Sequence, residues 1–203
     1  NGYYTSNGPK EDYNFEKLEA AWSDSSKEHH WRNRKSGQPF FSVFNFSVCH
    51  ESQVWARTND TLYVNPEEIK VPPYFPDTDV VRHDMAVNYS NLKRLDNQIG
   101  KILNQLKSDG LYENSYIFFY GDHGGPFPRY KRALYDTGLK VPMVIKFPGN
   151  KGAGTVDDRM FSFIDLAPTV LSLAGIEPTK VMQGVAQFGT FETKSKPKVT
   201  FHS

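Results

Sequence analysis

Three apolar runs along the chain predict β-strands. Pro39 precedes an aromatic and β-branched run at residues 40–46, which is the composition that a buried strand needs. Two further apolar runs, at residues 116–120 and 141–147, predict two more strands. Polar and glycine-rich segments separate the three runs, so each is expected to form its own strand.

Two helices are predicted between and after these strands. The longer one is indicated by apolar residues that recur at spacings of three and four, namely Leu92, Leu95, Ile99, Ile102, Leu103 and Leu106. Asp77 or Asp79 is expected to cap its start, and Gly110 is expected to end it. A second helix is expected from about Leu166 to Leu173. Strands alternating with helices predict an α/β fold, a mixed and largely parallel sheet flanked by helices.

Composition narrows the class of protein. With 203 residues, of which 38% are hydrophobic, the chain can build a real core and is expected to be one domain or a large part of one. A formal charge of +1 argues against nucleic acid or a membrane surface as a partner. The sequence contains one cysteine, Cys49, so an internal disulfide is excluded.

The end of the strand expected at residues 116–120 carries candidate chemistry. It leads into Gly121-Asp122-His123-Gly124, which places a carboxylate and an imidazole where open α/β sheets bind ligands. Asp122 offers a hard oxygen ligand and His123 a ring nitrogen to a divalent cation. Lys131, on the following loop, would suit a sulfate or phosphate oxygen. The same four residues are also ordinary turn chemistry, so the tetrapeptide leaves both interpretations open.

An ordered series of motifs resembles the sulfatase family of the alkaline-phosphatase superfamily. The series consists of Asp122-His123-Gly124, Lys131 four residues before Tyr135, residues 138–147 with Val141-Pro142, Pro148-Gly149, and residues 163–169 leading into Leu173-Ala174-Gly175-Ile176. Pro126-Phe127-Pro128, with Lys131 and Leu134-Tyr135, looks most similar to the sulfamidase and polysaccharide sulfatase branch. The resemblance covers nearly the whole chain and implies the α/β fold already expected.

The resemblance implies roles for the residues of this loop. Asp122 and His123 would lie on the calcium side of the site, with His123 the weaker ligand because imidazole is unusual for calcium. His123 could instead hydrogen-bond the nucleophile or the sulfate. Lys131 would bind the sulfate. Its neighbour Arg132 is the built-in control for this assignment, because the resemblance places the contact four residues before Tyr135 and not three.

His50 follows the strand expected at residues 40–46. A lone histidine there is usually structural, but the corresponding strand of sulfatases ends in a histidine that contacts the sulfate and assists the leaving group. The resemblance therefore implies a catalytic role for His50. Cys49 is rejected as the nucleophile, because the residues after it do not match Cys/Ser-x-Pro/Ala-x-Arg.

The opening residues extend the resemblance. Gly2-Tyr3-Tyr4-Thr5, followed by Gly8-Pro9-Lys10, resembles a sulfatase segment in which a lysine binds sulfate, which implies that role for Lys10. Asp12 stands where the family usually has histidine. It could bind a sugar hydroxyl of the substrate, or it could belong to a solvated turn.

The activity implied is that of a calcium-dependent sulfuric ester hydrolase acting on a sulfated carbohydrate. A hydrated formylglycine attacks sulfur, calcium and cationic side chains stabilise the charge, and a histidine protonates the leaving atom. The formylglycine motif and the paired calcium aspartates are expected upstream of Asn1. We therefore interpret residues 1–203 as the C-terminal portion of a sulfatase catalytic domain, truncated at both ends and inactive alone. The resemblance also implies a periplasmic or secreted location and leaves the oligomeric state open.

Two alternatives remain. A phosphodiesterase or phosphonate hydrolase of the same superfamily would share the Asp-His-Gly strand end but would bind two transition metals. A non-catalytic carbohydrate-binding relative is the second. Trp22, Trp31 and Trp55 could stack on sugar rings or pack in the core, and packing is expected for at least one of them.

Overall fold

The first strand, β1 (Tyr4–Asn7), pairs in parallel with β2 (Phe40–Val43). The computed structural model describes residues 2–8, 10, 13, 15, 16 and 18–194. β2 forms the first part of the run predicted at residues 40–46. β1 was not predicted, because four residues with polar side chains at three positions show no apolar periodicity. The Ser6 side chain is fully buried between the strands, where its hydroxyl lies 2.9 Å from that of Ser42.

The second pair of strands carries the candidate site at its end. β3 (Ile117–Tyr120) is antiparallel to β4 (Met143–Lys146), and both lie inside the predicted runs. The short helix α3 (Asp136–Leu139) lies between them in the chain. The mixed α/β class is confirmed. In the described part of the chain, however, the parallel and antiparallel pairings lie in two separate two-stranded sheets.

The residues that flank the long helix α2 (Asp79–Ser108) explain where it begins and ends. Thr78 caps its start, because its hydroxyl accepts a hydrogen bond from the main-chain N–H of Val81 at 3.4 Å. The prediction that Asp77 or Asp79 is the cap was therefore wrong. Gly110 follows the helix with a φ of +69°, a left-handed conformation that suits glycine and confirms the predicted end.

The packing of α2 anchors the segment that carries His50. Most of the buried side chains of this helix lie in its N-terminal half: Met85, Ala86, Val87, Ser90 and Asn91, with Leu106 near the other end. Of the apolar residues that predicted the helix, Leu92 is instead 44% exposed. The buried Asn91 amide donates to the carbonyl of Gln53 at 3.3 Å. Because Gln53 belongs to the short helix α1 (Ser52–Ala56), this bond fixes the segment just after His50 and Glu51.

Residues 152–194 form a compact unit of their own. Its helix α4 (Leu166–Leu173) has the predicted bounds. Side chains at its start and along it accept hydrogen bonds from the main chain of the segment that follows: Asp165 from Val185, Thr169 from Gln187 and Ser172 from Phe191, at 2.8–3.0 Å. All three acceptors are buried. The motif at residues 163–169 thus has a structural explanation.

None of the helices in the described residues combines the length and apolar character that crossing a membrane requires.

Candidate active site

The loop after β3 is held in place by close contacts between two glycines and the main chain. A Cβ added to Gly124 would clash with the carbonyl of Thr137, and one added to Gly138 would clash with the carbonyl of Ala133. The Gly124 N–H donates to the Gly138 carbonyl at 3.1 Å. Glycine is needed at both positions because only a residue without Cβ allows the backbones this close. The loop over residues 121–139, hereafter the β3–β4 loop, is thereby closed on itself.

Asp122 lies at the centre of a loosely paired group of charges. Its Oδ2 is 3.6 Å from the Lys10 ammonium and 3.6 Å from the His123 Nε2. The Asp122 side chain is 64% exposed. These separations exceed a direct hydrogen bond, so the exposed Asp122 carboxylate can take water or a ligand in place of these two partners. We call Lys10, Asp122 and His123 the Asp122 cluster.

A second group of charges is tightly paired. The Glu51 carboxylate accepts hydrogen bonds from both terminal nitrogens of Arg132, at 2.6 and 2.7 Å, and lies 3.4 Å from the Lys131 ammonium. Its side chain is only 14% exposed. The hydrogen bonds from Arg132, with a smaller contribution from Lys131, lower the pKa of Glu51 to about 2. We call Glu51, Lys131 and Arg132 the Glu51 cluster.

The Glu51 cluster adds a structural role for Arg132 and a new residue, Glu51. The resemblance assigned Arg132 no contact with the sulfate, and its guanidinium joins the β3–β4 loop to the carboxylate beside His50. Arg132 holds this position with a φ of +71°, uncommon for a residue with a side chain. Glu51 was not predicted. The available signal was its position directly after a predicted site histidine, where a carboxylate can pair with a distant basic dipeptide.

The two site histidines are held in different tautomers by their hydrogen bonds. The Ser52 N–H donates to Nδ1 of His50 at 3.2 Å, so the neutral ring carries its proton on Nε2. Nδ1 of His123 lies 2.8 Å from the Gly124 carbonyl, which can only accept, so that ring carries its proton on Nδ1. His50 therefore presents a proton donor at Nε2, whereas His123 presents a lone pair there, as a ligand or base does.

The structure brings the predicted residues together at two places. Lys10 meets Asp122 and His123, and Lys131 meets the segment that carries His50. Asp12 lies outside the described residues. The roles assigned to these residues remain predictions.

Cys49 stays unsuited to act as a nucleophile. Burial raises the pKa of its thiol, so the reactive thiolate is disfavoured at neutral pH.

Asp122 fits calcium as one oxygen ligand among several. Calcium takes six to eight oxygen ligands, as a rule. In the residues that the structure describes, no three His, Cys, Asp or Glu side chains converge as a metal site. This part of the chain therefore offers Asp122 as a carboxylate ligand, with the His123 lone pair beside it.

The three tryptophans have different environments. Trp31 is 1% exposed and donates its ring N–H to Asp109 at 2.7 Å, which confirms the packing interpretation for this residue. Trp22 stacks on Phe41. Trp55 is 66% exposed and remains open to a ligand.

Nearly the whole chain is similar to known sulfatases. The family model described as Sulfatase matches residues 3–176. An ulvan-active sulfatase from Formosa agariphila is 43% identical, over 96% of this chain and 39% of that protein. The N-sulphoglucosamine sulphohydrolase of Homo sapiens is 32% identical, over 53% of this chain and 22% of that protein. The chain thus spans well under half the length of these relatives.

One solved structure supports the fold. It is that of yidJ from Bacteroides fragilis, a protein assigned as a sulfatase, which matches with a TM-score of 0.60 over 80% of this chain and 38% of that protein. At 24% identity, this likeness concerns the fold alone.

Proposed function

The chain belongs to the sulfatase family, and from this premise we propose that it forms part of a sulfuric ester hydrolase that acts on a sulfated carbohydrate. The observation that carries the proposal is the meeting of Lys10, Asp122 and His123 at the end of β3. Lys10 is distant in the sequence from the adjacent Asp122 and His123, and all three side chains are exposed, as a site for an anionic ligand requires. The names of the relatives, an ulvan-active sulfatase and an N-sulphoglucosamine sulphohydrolase, support a sulfated saccharide as the substrate.

Each side chain has a role that its geometry permits. The ammonium groups of Lys10 and Lys131 would bind the sulfate oxygens and stabilise the charge that grows on them. His50 would first take up a proton and, as the imidazolium, donate the proton on Nε2 to the leaving oxygen, while its Nδ1–H donates to the Ser52 hydroxyl 2.8 Å away. Glu51 would stay ionised and hold the Lys131 loop against the His50 segment, since its pKa of about 2 makes it unsuited to carry a proton at neutral pH.

Two groups expected from the family would complete the site. Calcium would supply positive charge that polarises the sulfate, and a formylglycine would supply the nucleophile. Asp122 would provide an oxygen ligand to the calcium, with His123 beside it. Because the 203 residues contain no Cys/Ser-x-Pro/Ala-x-Arg motif, we propose that the nucleophile and the other ligands belong to further parts of a longer chain. The greater length of the relatives supports this.

We also propose a periplasmic or secreted location, because a polysaccharide such as ulvan is an extracellular substrate.

The test is release of inorganic sulfate from ulvan by the full-length protein, measured by ion chromatography. Sulfate is expected in the presence of calcium, and the 203-residue chain alone is expected to release none. Hydrolysis of a phosphodiester such as bis-p-nitrophenyl phosphate, without sulfate release, would indicate the phosphodiesterase alternative instead. Binding of ulvan without any hydrolysis would indicate a carbohydrate-binding protein.

A further inference from the structure

An open cleft of about 420 Å³ lies on the β3–β4 loop, next to the residues assigned above. Its lining combines aromatic, apolar, cationic, acidic and hydroxyl side chains: Tyr74, Arg129, Leu134, Tyr135, Asp136 and Thr137. Small-molecule sites are clefts of roughly 300–1,000 Å³, so this one can take a sugar residue. The residues assigned above to the proposed active site do not line this cleft: Lys10, His50, Asp122, His123 and Lys131.

The backbone of the loop presents Arg129 to this cleft. Arg129 has a φ of +70°, which a residue with a side chain seldom adopts unless its surroundings hold it there. The Thr137 hydroxyl donates a hydrogen bond to the Arg129 carbonyl. Because Thr137 also packs its main chain against Gly124, the unusual conformation is built into the fold of the loop.

The guanidinium of Arg129 lies between two tyrosine rings. Its central carbon is 4.8 Å from the ring centre of Tyr74 and 5.7 Å from that of Tyr135. Arginine stacked on aromatic rings keeps its N–H edge available for hydrogen bonds in the plane of the group. Within the described residues, Arg129 forms no ion pair, and the nearby Asp136 lies beyond ion-pair distance. The N–H edge is therefore left for a ligand.

We propose that this cleft binds an acidic sugar residue, with Arg129 pairing with the sugar carboxylate and Tyr135 packing against the ring. The guanidinium presents two parallel N–H groups that match the two oxygens of a carboxylate. The ring of Tyr135 is 56% exposed and Leu134 is 84% exposed, which gives the C–H face of a sugar an apolar surface. Asp136 can accept hydrogen bonds from the sugar hydroxyls. A neutral sugar would leave the arginine fork without a partner.

The position of the cleft suits it to bind a sugar residue next to the sulfated one. Arg129 is two residues before Lys131 on the same closed loop. A polysaccharide with its sulfate at Lys131 would then offer a neighbouring residue to Arg129. This part of the inference rests on the proposed function, whereas binding of an acidic sugar to the cleft does not require hydrolysis.

The test uses two unsulfated disaccharides that differ only in the acidic group. Cellobiouronic acid and cellobiose are titrated by NMR into the full-length protein and into three variants. Cellobiouronic acid is expected to bind at least about tenfold more tightly than cellobiose, the factor that one charge-assisted fork contributes. Arg129→Gln should remove this preference, and Arg129→Lys, which keeps the charge without the fork, should lose most of it.

Lys101→Gln is the matched control, because it removes one positive charge from an exposed position on α2. This variant should keep the full preference. If Arg129→Gln does not fold, Tyr135→Ala tests the same cleft and should weaken both disaccharides. Equal binding of the two disaccharides by the unmodified protein, or an undiminished preference in Arg129→Gln, would overturn the inference. Sulfate release is measured separately, so a protein that binds cellobiouronic acid without hydrolysing ulvan contradicts the proposed function and leaves the cleft assignment standing.

Discussion

The Asp122 cluster and the Glu51 cluster contain the same kinds of charged groups but differ in how tightly they are paired. Around Asp122 the separations are 3.6 Å and the carboxylate is 64% exposed. Around Glu51 the shortest contact is 2.6 Å and the carboxylate is 14% exposed. A loosely paired, exposed carboxylate can exchange its partners for a ligand, whereas a largely buried carboxylate held by an arginine fork joins two segments. Under the proposed function, the comparison therefore assigns ligand binding to the Asp122 cluster and positioning to the fork between Glu51 and Arg132.

Lys131 and Arg132, which are neighbours in the chain, also differ in how tightly they pair with Glu51. Lys131 lies 3.4 Å from Glu51, a long contact that a sulfate could replace. Arg132 satisfies both oxygens of Glu51 and would lose two short hydrogen bonds if it turned toward a ligand. The resemblance placed Lys131 in the site and Arg132 outside it. In the structure, Arg132 holds the β3–β4 loop against the segment that carries His50.

The largest effect is expected at Asp122. Asp122→Ala in the full-length enzyme should lower calcium affinity and reduce kcat/KM roughly a thousandfold, because a lost metal-assisted charge stabilisation amounts to several kcal/mol. Calcium titration and sulfate release measure the two quantities. Asp96→Ala, an exposed carboxylate on α2 paired with Lys93, is the control. Unchanged calcium affinity in Asp122→Ala would remove Asp122 from the metal site.

Loss of Lys131 should have the next largest effect. Lys131→Ala should lower kcat/KM about a hundredfold, the usual cost of one lost contact to an oxyanion. The fold should remain intact, since Arg132 still pairs with Glu51. Lys140→Ala removes a positive charge from an exposed position just after the same loop and should change kcat/KM little. Equal, small effects at the two lysines would mean that Lys131 only belongs to a basic surface.

A smaller effect is expected at Arg132. Arg132→Gln should lower kcat roughly tenfold, because Lys131 would be less well positioned once the fork to Glu51 is lost. Arg132→Lys should recover only part of this activity, since lysine cannot bind both carboxylate oxygens at once. Steady-state kinetics on ulvan oligosaccharides measure the effect. Full activity in Arg132→Gln would show that the fork does not position the site.

The smallest effect is a pH-dependent change in stability at Glu51. Its pKa falls from 4.5 to about 2 on folding, so its stabilising contribution is complete above pH 4.5 and is lost as the pH falls through 2. Glu51→Gln should therefore be less stable than the unmodified protein at pH 7, and the difference should shrink between pH 4.5 and pH 2. Urea unfolding midpoints at several pH values measure this. A difference that stays constant with pH would contradict the ion-pair account.

Local features of the sequence predicted the strand ends and helix ends that matter most. The run before Asp122, the stop at Gly110 and the bounds of α4 were all correct, because each is determined by residues close together in the chain. The cap at Thr78 was missed, since three candidate capping side chains stand within three residues. Sequence propensity alone does not choose among them.

The sequence could not predict which side chains pair across long distances in the chain. Glu51 and Arg132 are separated by 81 positions, and no local pattern connects them. The resemblance found Lys131 and Asp122 because they belong to a motif. It could not find the residues that support them, because the partner of such a residue is determined only when the chain has folded.

The most direct test of the division between the two clusters is a crystal structure of the full-length enzyme with sulfate bound. We expect a sulfate oxygen within roughly 3.2 Å of both the Lys131 ammonium and Nε2 of His50, with the fork between Glu51 and Arg132 unchanged. Asp122 should then have left Lys10 for the metal, and Lys10 should contact the sulfate. A sulfate bound where neither Lys131 nor His50 reaches it, with Lys10 still paired to Asp122, would contradict this account.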